Sequence, residues 1–122
     1  KVDAHLGDHL LRTDQSVKAG GEATAPSPFD LFLASIGTCA GFYALRFCQE
    51  RELSTEGLGL AMSWSRSAES GLIDQIHLDL TLPAGFPEKY RTAILRAVDQ
   101  CTVKKHLAHP PALVIEAHPS RG

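Results

Sequence analysis

Eighteen residues, Leu31-Phe-Leu-Ala-Ser-Ile-Gly-Thr-Cys-Ala-Gly-Phe-Tyr-Ala-Leu-Arg-Phe-Cys48, form an almost unbroken apolar run and restrict the folds open to this chain. The run is close to the shortest length that spans a bilayer. Asp30 and Arg46 flank or interrupt it, however, and Ser35, Gly37, Thr38 and Gly41 thin its hydrophobicity. A polar segment of about thirty residues precedes it, unlike the short charged region before a secretory signal. Just upstream, Ser27-Pro28-Phe29-Asp30 spells a helix start: a serine cap, proline at the first helical position and aspartate closing a capping box. The run therefore predicts a central helix to about Arg51, apolar on nearly every face and wrapped by sheet and other helices, of the same chain or of a second subunit.

The rest of the chain supplies that wrapping. Val2 to Thr13 reads as a hairpin about Gly7-Asp8, and Asp14 to Pro26, with Gly20-Gly21, as a mobile loop. Leu58, Leu60, Met62 and Trp64 alternate with small residues, and Ile76, Leu78, Leu80 and Leu82 alternate with polar ones. With a turn at Ser67 to Gly71, they predict an antiparallel pair with one wet face. Tyr90, Ala93, Ile94, Ala97, Val98 and Cys101 form a single helical stripe that Cys101 closes, and Ala112 to Ala117 predicts a last strand. The order is α+β, an antiparallel sheet packed around a long central helix and a second amphipathic one, in a single domain over 1–122. A formal charge of −2 leaves no basic excess for nucleic acid, and three cysteines do not make a secreted disulfide scaffold. A reducing cytoplasm fits better.

Cys39 and Cys101 carry the sharpest chemical possibility. A thiol oxidised by peroxide, with a second thiol to condense with its sulfenic acid, is a minimal redox device. Both also read as small buried hydrophobes. Cys39 is too deep in its helix for that helix's own dipole to activate it, so a thiolate there needs a neighbouring cation. Arg46, two turns on, shares nearly the same face. Cys48 falls on the opposite side of the helix, in core or on surface. Helix position does not activate Cys101, although Lys104, Lys105 and His106 follow it. His5, His9, His106 and His109 lack metal-site spacing, and no phosphate loop or serine nucleophile elbow occurs, so neither metal nor cofactor is expected.

Pro26-Ser-Pro-Phe-Asp-Leu-Phe-Leu-Ala-Ser-Ile-Gly-Thr-Cys39 resembles the signature of the OsmC/Ohr family, the osmotically induced and organic-hydroperoxide-resistance proteins. Cys101-Thr-Val-Lys-Lys-His-Leu107 resembles its second motif, usually Cys-Pro-Val followed by a leucine, and the double glycine before the first motif is also similar. The resemblance covers essentially the whole chain. It implies an OsmC-like fold in an intertwined homodimer of bacterial, cytoplasmic type. Cys39 is then the peroxidatic cysteine and Cys101 the resolving one, acting on small hydrophobic hydroperoxides and reset by a dithiol, lipoyl-type or thioredoxin-type reductant. Phe29, Phe32, Phe42 and Tyr43 are the candidate pocket lining.

The chain departs from the dedicated hydroperoxidases of that family in three places. Phe29 stands where they carry a glutamate, with Asp30 one step along. Their thiolate-supporting arginine comes from the N-terminal strands, where Arg12 is the candidate and Arg46 an alternative on the helix. Thr102 replaces the usual proline. Two functions follow as expectations: a thiol peroxidase for organic hydroperoxides, or a binding or stress-associated domain that keeps the fold with weak or no peroxidase activity.

Overall fold

The long helix begins where the capping residues place it. The Ser27 hydroxyl accepts from the Asp30 amide at 3.1 Å and the Asp30 carboxylate accepts from the Ser27 amide at 3.0 Å, with Pro28 at the first helical position. In the computed structural model, which describes residues 1–120, this helix α1 spans Pro28–Glu50. Arg121 and Gly122, the last two positions of the expected unit, lie outside the described residues.

One stripe of α1 is buried: Leu33, Ile36, Ala40, Ala44, Phe47 and Cys48. Ala44, Phe47 and Cys48 join Ile94 of helix α2 (Arg91–Asp99) in the core, which Leu53, Leu80, Phe86 and Tyr90 flank. Ile94 and Cys48 are fully buried, and enclosing an isoleucine side chain is worth roughly 1.5–3 kcal/mol. The chain by itself covers only one stripe of α1, and the expected wrapping extends to elements of a second subunit. The helix is long and apolar enough to cross a membrane, and 33% of its most apolar window is buried. Phe29, Phe32 and Phe42 stay exposed, because one chain of this size has too few elements to cover a second face.

Strands β1 (Val2–Leu6) and β2 (His9–Thr13) form the predicted hairpin, with Leu6 opposite His9 and Gly7 at φ +58° in the two-residue turn. β3 (Gly59–Arg66) and β4 (Ile73–Thr81) form a second antiparallel pair. Leu60, Met62 and Trp64 stand opposite Leu80, Leu78 and Ile76, so one face is apolar, as the alternation predicts. Met62 reaches α1 at Gly37, where a Cβ would lie 3.9 Å from its sulfur. The two sheets remain separate.

Three expectations are overturned. The segment after Thr13 is not a loose loop. Asp14, 3% exposed, accepts from the amides of Gln15 at 2.8 Å and Thr24 at 3.1 Å and from the Thr24 hydroxyl at 2.6 Å, with the Glu22 amide also directed at it. A carboxylate bound by that many donors fastens both ends of the segment, and Val17–Ala19 makes a 3₁₀ turn between them. Second, Cys101 does not close α2. The Gln100 amide bonds back to Ala97 and Val98, the backbone at Cys101 opens to φ −51°, ψ 129°, and helix α3 (Thr102–Ala108) begins. Third, Ala112 to Ala117 forms no strand. Leu113, Val114 and Ile115 are 88%, 79% and 91% exposed, because no sheet edge of the same chain receives them.

Candidate functional site

The break at Cys101 creates the site. Because α2 stops short of it, Cys101 becomes the residue that caps α3, and the amides of Thr102 and Val103 point outward unpaired, as the first amides of any helix do. Those amides face Cys39, which sits half-buried at the middle of α1. The Tyr43 and Thr102 hydroxyls, 3.2 Å apart, tie the two helices together one turn from Cys39. None of the three cysteines is joined in a disulfide.

Burial pushes the Cys39 thiol up, but three donors outweigh it: the Cys101 thiol, then the Val103 amide, then the Thr102 amide. The net result is a thiol below its ordinary range, the condition for a usable thiolate. Cys101, 3% exposed, goes the other way. Burial raises it most, and its bond to Cys39 and the charge that develops there add to the rise, against a smaller pull from the Lys104 and Val103 amides. The two thiols therefore shift in opposite directions, Cys39 down and Cys101 up. Burial alone pushes Cys48 up, only partly offset by the charge of Arg51. It belongs to the core.

The structure disperses the other candidates. Arg46 turns along α1 to Glu50, with Nε 2.6 Å from the carboxylate, and is not among the groups acting on Cys39. Arg12 lies on exposed β2 opposite Asp3. Asp30 is spent on the helix cap. Phe29 and Phe32 pack together with ring centroids 5.4 Å apart, and Phe42 meets Tyr43 edge-on at 5.4 Å. By helical spacing Phe32, Phe42 and Tyr43 share the face of Cys39, and the two phenylalanines are open to solvent.

A cavity of about 290 Å³ adjoins the pair, but these aromatics do not line it. Its walls are aliphatic, from Ile36, Ile76, Leu78 and Val98, with Cys101 on one side and Asp99 and Lys104 among the lining residues. The last two form an ion pair. Sequence reasoning sought a cation for Cys39 and missed the amides of Thr102 and Val103. One signal could have found them. The proline usual after the second-motif cysteine is the residue favoured at the first position of a helix, so the motif itself marks a helix start.

Comparison with known proteins agrees with this architecture. OsmC-like protein is the family that matches, over residues 20–116. A solved protein from Psychrobacter arcticus 273-4, described as an osmotic stress induced and detoxification response protein, superposes with a TM-score of 0.68 at 19% identity. The match covers 85% of this chain and 84% of that one, and it establishes the shared α+β fold. Comparison with curated proteins gives no match. With the family matched across both cysteine motifs and the fold shared nearly end to end, the chain belongs to the OsmC-like protein family.

Proposed function

We propose that this chain, as one domain over 1–122, is a thiol-dependent peroxidase that reduces organic hydroperoxides through Cys39 and Cys101. A single observation carries the reading: a buried thiol and the leading amides of α3 converge on Cys39 from far along the chain, and together hold it toward thiolate. The Cys39 thiolate attacks the distal peroxide oxygen, the O–O bond breaks, and the leaving alkoxide takes a proton and departs as alcohol. Cys101 then attacks the resulting sulfenic acid, water leaves, and a Cys39–Cys101 disulfide forms. A dithiol, lipoyl-type or thioredoxin-type reductant resets the pair, in a cytoplasmic setting that leaves its thiols reduced. Phe32 and Phe42 give the approach to Cys39 an apolar flank that favours hydrophobic peroxides.

The working unit in this reading is an intertwined homodimer. Two-stranded sheets are marginal by themselves, and both sheets here stop at two strands. The exposed apolar segment Leu113–Ile115 and the uncovered aromatic side of α1 are the surfaces a second copy would cover.

Titration of the reduced protein with cumene hydroperoxide, with thiol counting and disulfide mapping, tests the activity. Rapid loss of two thiols and a Cys39–Cys101 link is expected, and a Cys39→Ser variant that keeps full activity would sink the assignment. A second reading, a binding domain with little peroxidase activity, draws on Phe29 at the motif glutamate position and on Arg46 being engaged by Glu50. It predicts unchanged thiols at equimolar peroxide.

A further inference from the structure

The peroxide step leaves one proton unassigned. When the O–O bond breaks, the departing alkoxide is a strong base, and a proton delivered to it in the transition state lowers the barrier. The donors already aimed at Cys39 do not serve. The Cys101 thiol and the amides of Thr102 and Val103 bond the sulfur itself, so they act on the attacking end and not on the leaving one. The Ser35 hydroxyl, one turn before Cys39, donates back to the Phe32 carbonyl at 2.7 Å. His106 meets the Thr102 carbonyl at 2.8 Å, and helix carbonyls point away from the end whose amides face Cys39. Arg46 holds Glu50, and a guanidinium does not release its proton in a protein.

We propose that Tyr43 is the general acid of the peroxide step: its phenol protonates the leaving alkoxide as the Cys39 thiolate attacks. The inference rests on the peroxidase reading of the preceding subsection and adds a catalytic group to it. Tyr43 stands at i+4 from Cys39 on α1, which sets the two side chains side by side on one face. Its hydroxyl meets the Thr102 hydroxyl at 3.2 Å, and Thr102 is also a residue whose amide bonds the Cys39 sulfur. One residue of α3 therefore fixes both the sulfur that attacks and the phenol beside it. Of the two hydroxyls in that contact the phenol is much the stronger acid, so it is the one that yields a proton. The ring is held as well, with Phe42 edge-on to it at 5.4 Å. Arg46 supplies a second observation. It lines a cavity of about 210 Å³ together with Tyr43, and the two interact electrostatically, so a positive charge faces the oxygen that becomes negative. Glu50, on the same wall, keeps the guanidinium there.

The step balances with groups already named. The Cys39 thiolate bonds the distal peroxide oxygen, and the electron pair of the O–O bond moves onto the proximal oxygen. The Tyr43 O–H bond breaks as that oxygen takes the proton and leaves as neutral alcohol, with Cys39 left as the sulfenic acid. The phenolate accepts a hydrogen bond from the Thr102 hydroxyl, with Arg46 nearby, until a proton from water restores it, since Tyr43 is partly open to solvent. The thiolate supplies both electrons. The proximal oxygen lies one bond beyond the atom attacked, so its donor has to stand beside the sulfur and not on it, within about 2.6–3.2 Å of that oxygen in the transition state. A peroxide whose leaving group is already a weak base has no use for such a donor.

The test compares leaving groups. The reduced full chain and its Tyr43→Phe variant, which keeps the ring and loses only the hydroxyl, are each mixed with one oxidant in a single turnover, and thiol loss is followed by quenched flow. tert-Butyl hydroperoxide expels an alkoxide, whereas peracetic acid expels a carboxylate that departs without a proton. With tert-butyl hydroperoxide the variant should react at least about tenfold more slowly, since a positioned acid contributes about 10²–10⁴-fold. With peracetic acid, and in alkylation of Cys39 by iodoacetamide, it should stay within about twofold of the parent. Equal slowing with all three reagents overturns the proposal, because Tyr43 then acts on the thiolate or on the fold. An unchanged rate with tert-butyl hydroperoxide overturns the proton donor and leaves the peroxidase assignment standing. A parent chain that tert-butyl hydroperoxide does not oxidise overturns both, so the two failures are distinguishable.

Discussion

Thr102→Pro isolates the source of Cys39 activation. Thr102 is the first residue of α3, where proline's fixed φ fits and its missing N–H breaks no helical bond, so the helix should persist. What is lost is one of the two amides facing Cys39, together with the hydroxyl that meets Tyr43. A hydrogen bond to a charged group is worth about 1.5–3 kcal/mol. The Cys101 thiol and the Val103 amide remain and take up part of that loss, and the Thr102 amide is the weakest of the three donors, so the lower end applies. That corresponds to roughly a tenfold smaller thiolate population at a fixed pH below the midpoint. Alkylation does not slow by the same factor. A more basic thiolate is more nucleophilic with a Brønsted slope of about 0.4–0.5, which leaves a net fall of roughly three- to fourfold. Two assays therefore separate the quantities: ultraviolet thiolate absorbance across pH reports the tenfold change, and iodoacetamide kinetics the smaller one. Thr102→Ala is the control. It keeps the amide and loses only the hydroxyl, and its Cys39 should react within about twofold of the parent chain if the amide is what matters. If Thr102→Pro reacts as fast as the parent while its circular dichroism is unchanged, the amides of α3 are not what holds Cys39 toward thiolate.

Other perturbations reach separate parts of the structure. Ile94→Ala should destabilise the fold by about 2–5 kcal/mol, lowering the thermal midpoint by on the order of 10 °C, since Ile94 is fully enclosed between α1 and α2; a shift under about 2 °C would contradict that packing. The donors around Asp14, first the Thr24 hydroxyl and then its amide, hold its carboxyl well below the usual carboxylate range. Its contribution to stability is therefore complete above about pH 5 and is lost as pH falls below the unfolded value of about 3.9 toward the folded one. Asp14→Asn should be less stable at pH 7 and show a shallower acid limb in urea melts at pH 2 to 5, and matching slopes would argue against the clasp. Ile115→Lys places a charge on the exposed apolar C-terminal segment and should shift the proposed dimer toward monomer in sedimentation velocity, without changing the helical signal; an unaltered association state would remove that segment from the proposed interface.

Where local rules decide structure, the sequence was legible. Ser27, Pro28 and Asp30 specify a helix start through bonds among neighbours, and the alternation from Leu60 to Trp64 against Ile76 to Leu80 specifies a pair and its register. Cys101 was misplaced for a physical reason. It continues the apolar stripe of α2 in spacing, and periodicity does not register a backbone that turns at Gln100. Asp14 was passed over because a carboxylate in a glycine-rich segment looks solvated until its donors at 22 and 24 fold back on it. The pairing of Arg46 with Glu50 is an ordinary i, i+4 contact and could have been read from spacing. Leu113 to Ile115 has the composition of a strand, but a strand also needs an edge to bond, and composition carries no information about that.

The placement of the two thiols has a mechanical side. α1 and α3 are far apart in the chain, and everything between Cys39 and Cys101, including the β3–β4 pair and α2, lies within the loop that a bond between them would close. Cross-linking a loop of about 60 residues removes enough freedom from the unfolded chain to be worth roughly 4 kcal/mol. Oxidation would thus work as a rivet through about half of the chain, so that the disulfide form resists heat and proteolysis better than the dithiol form. Thermal scans of the two redox states would then read out the state of the pair without any substrate present.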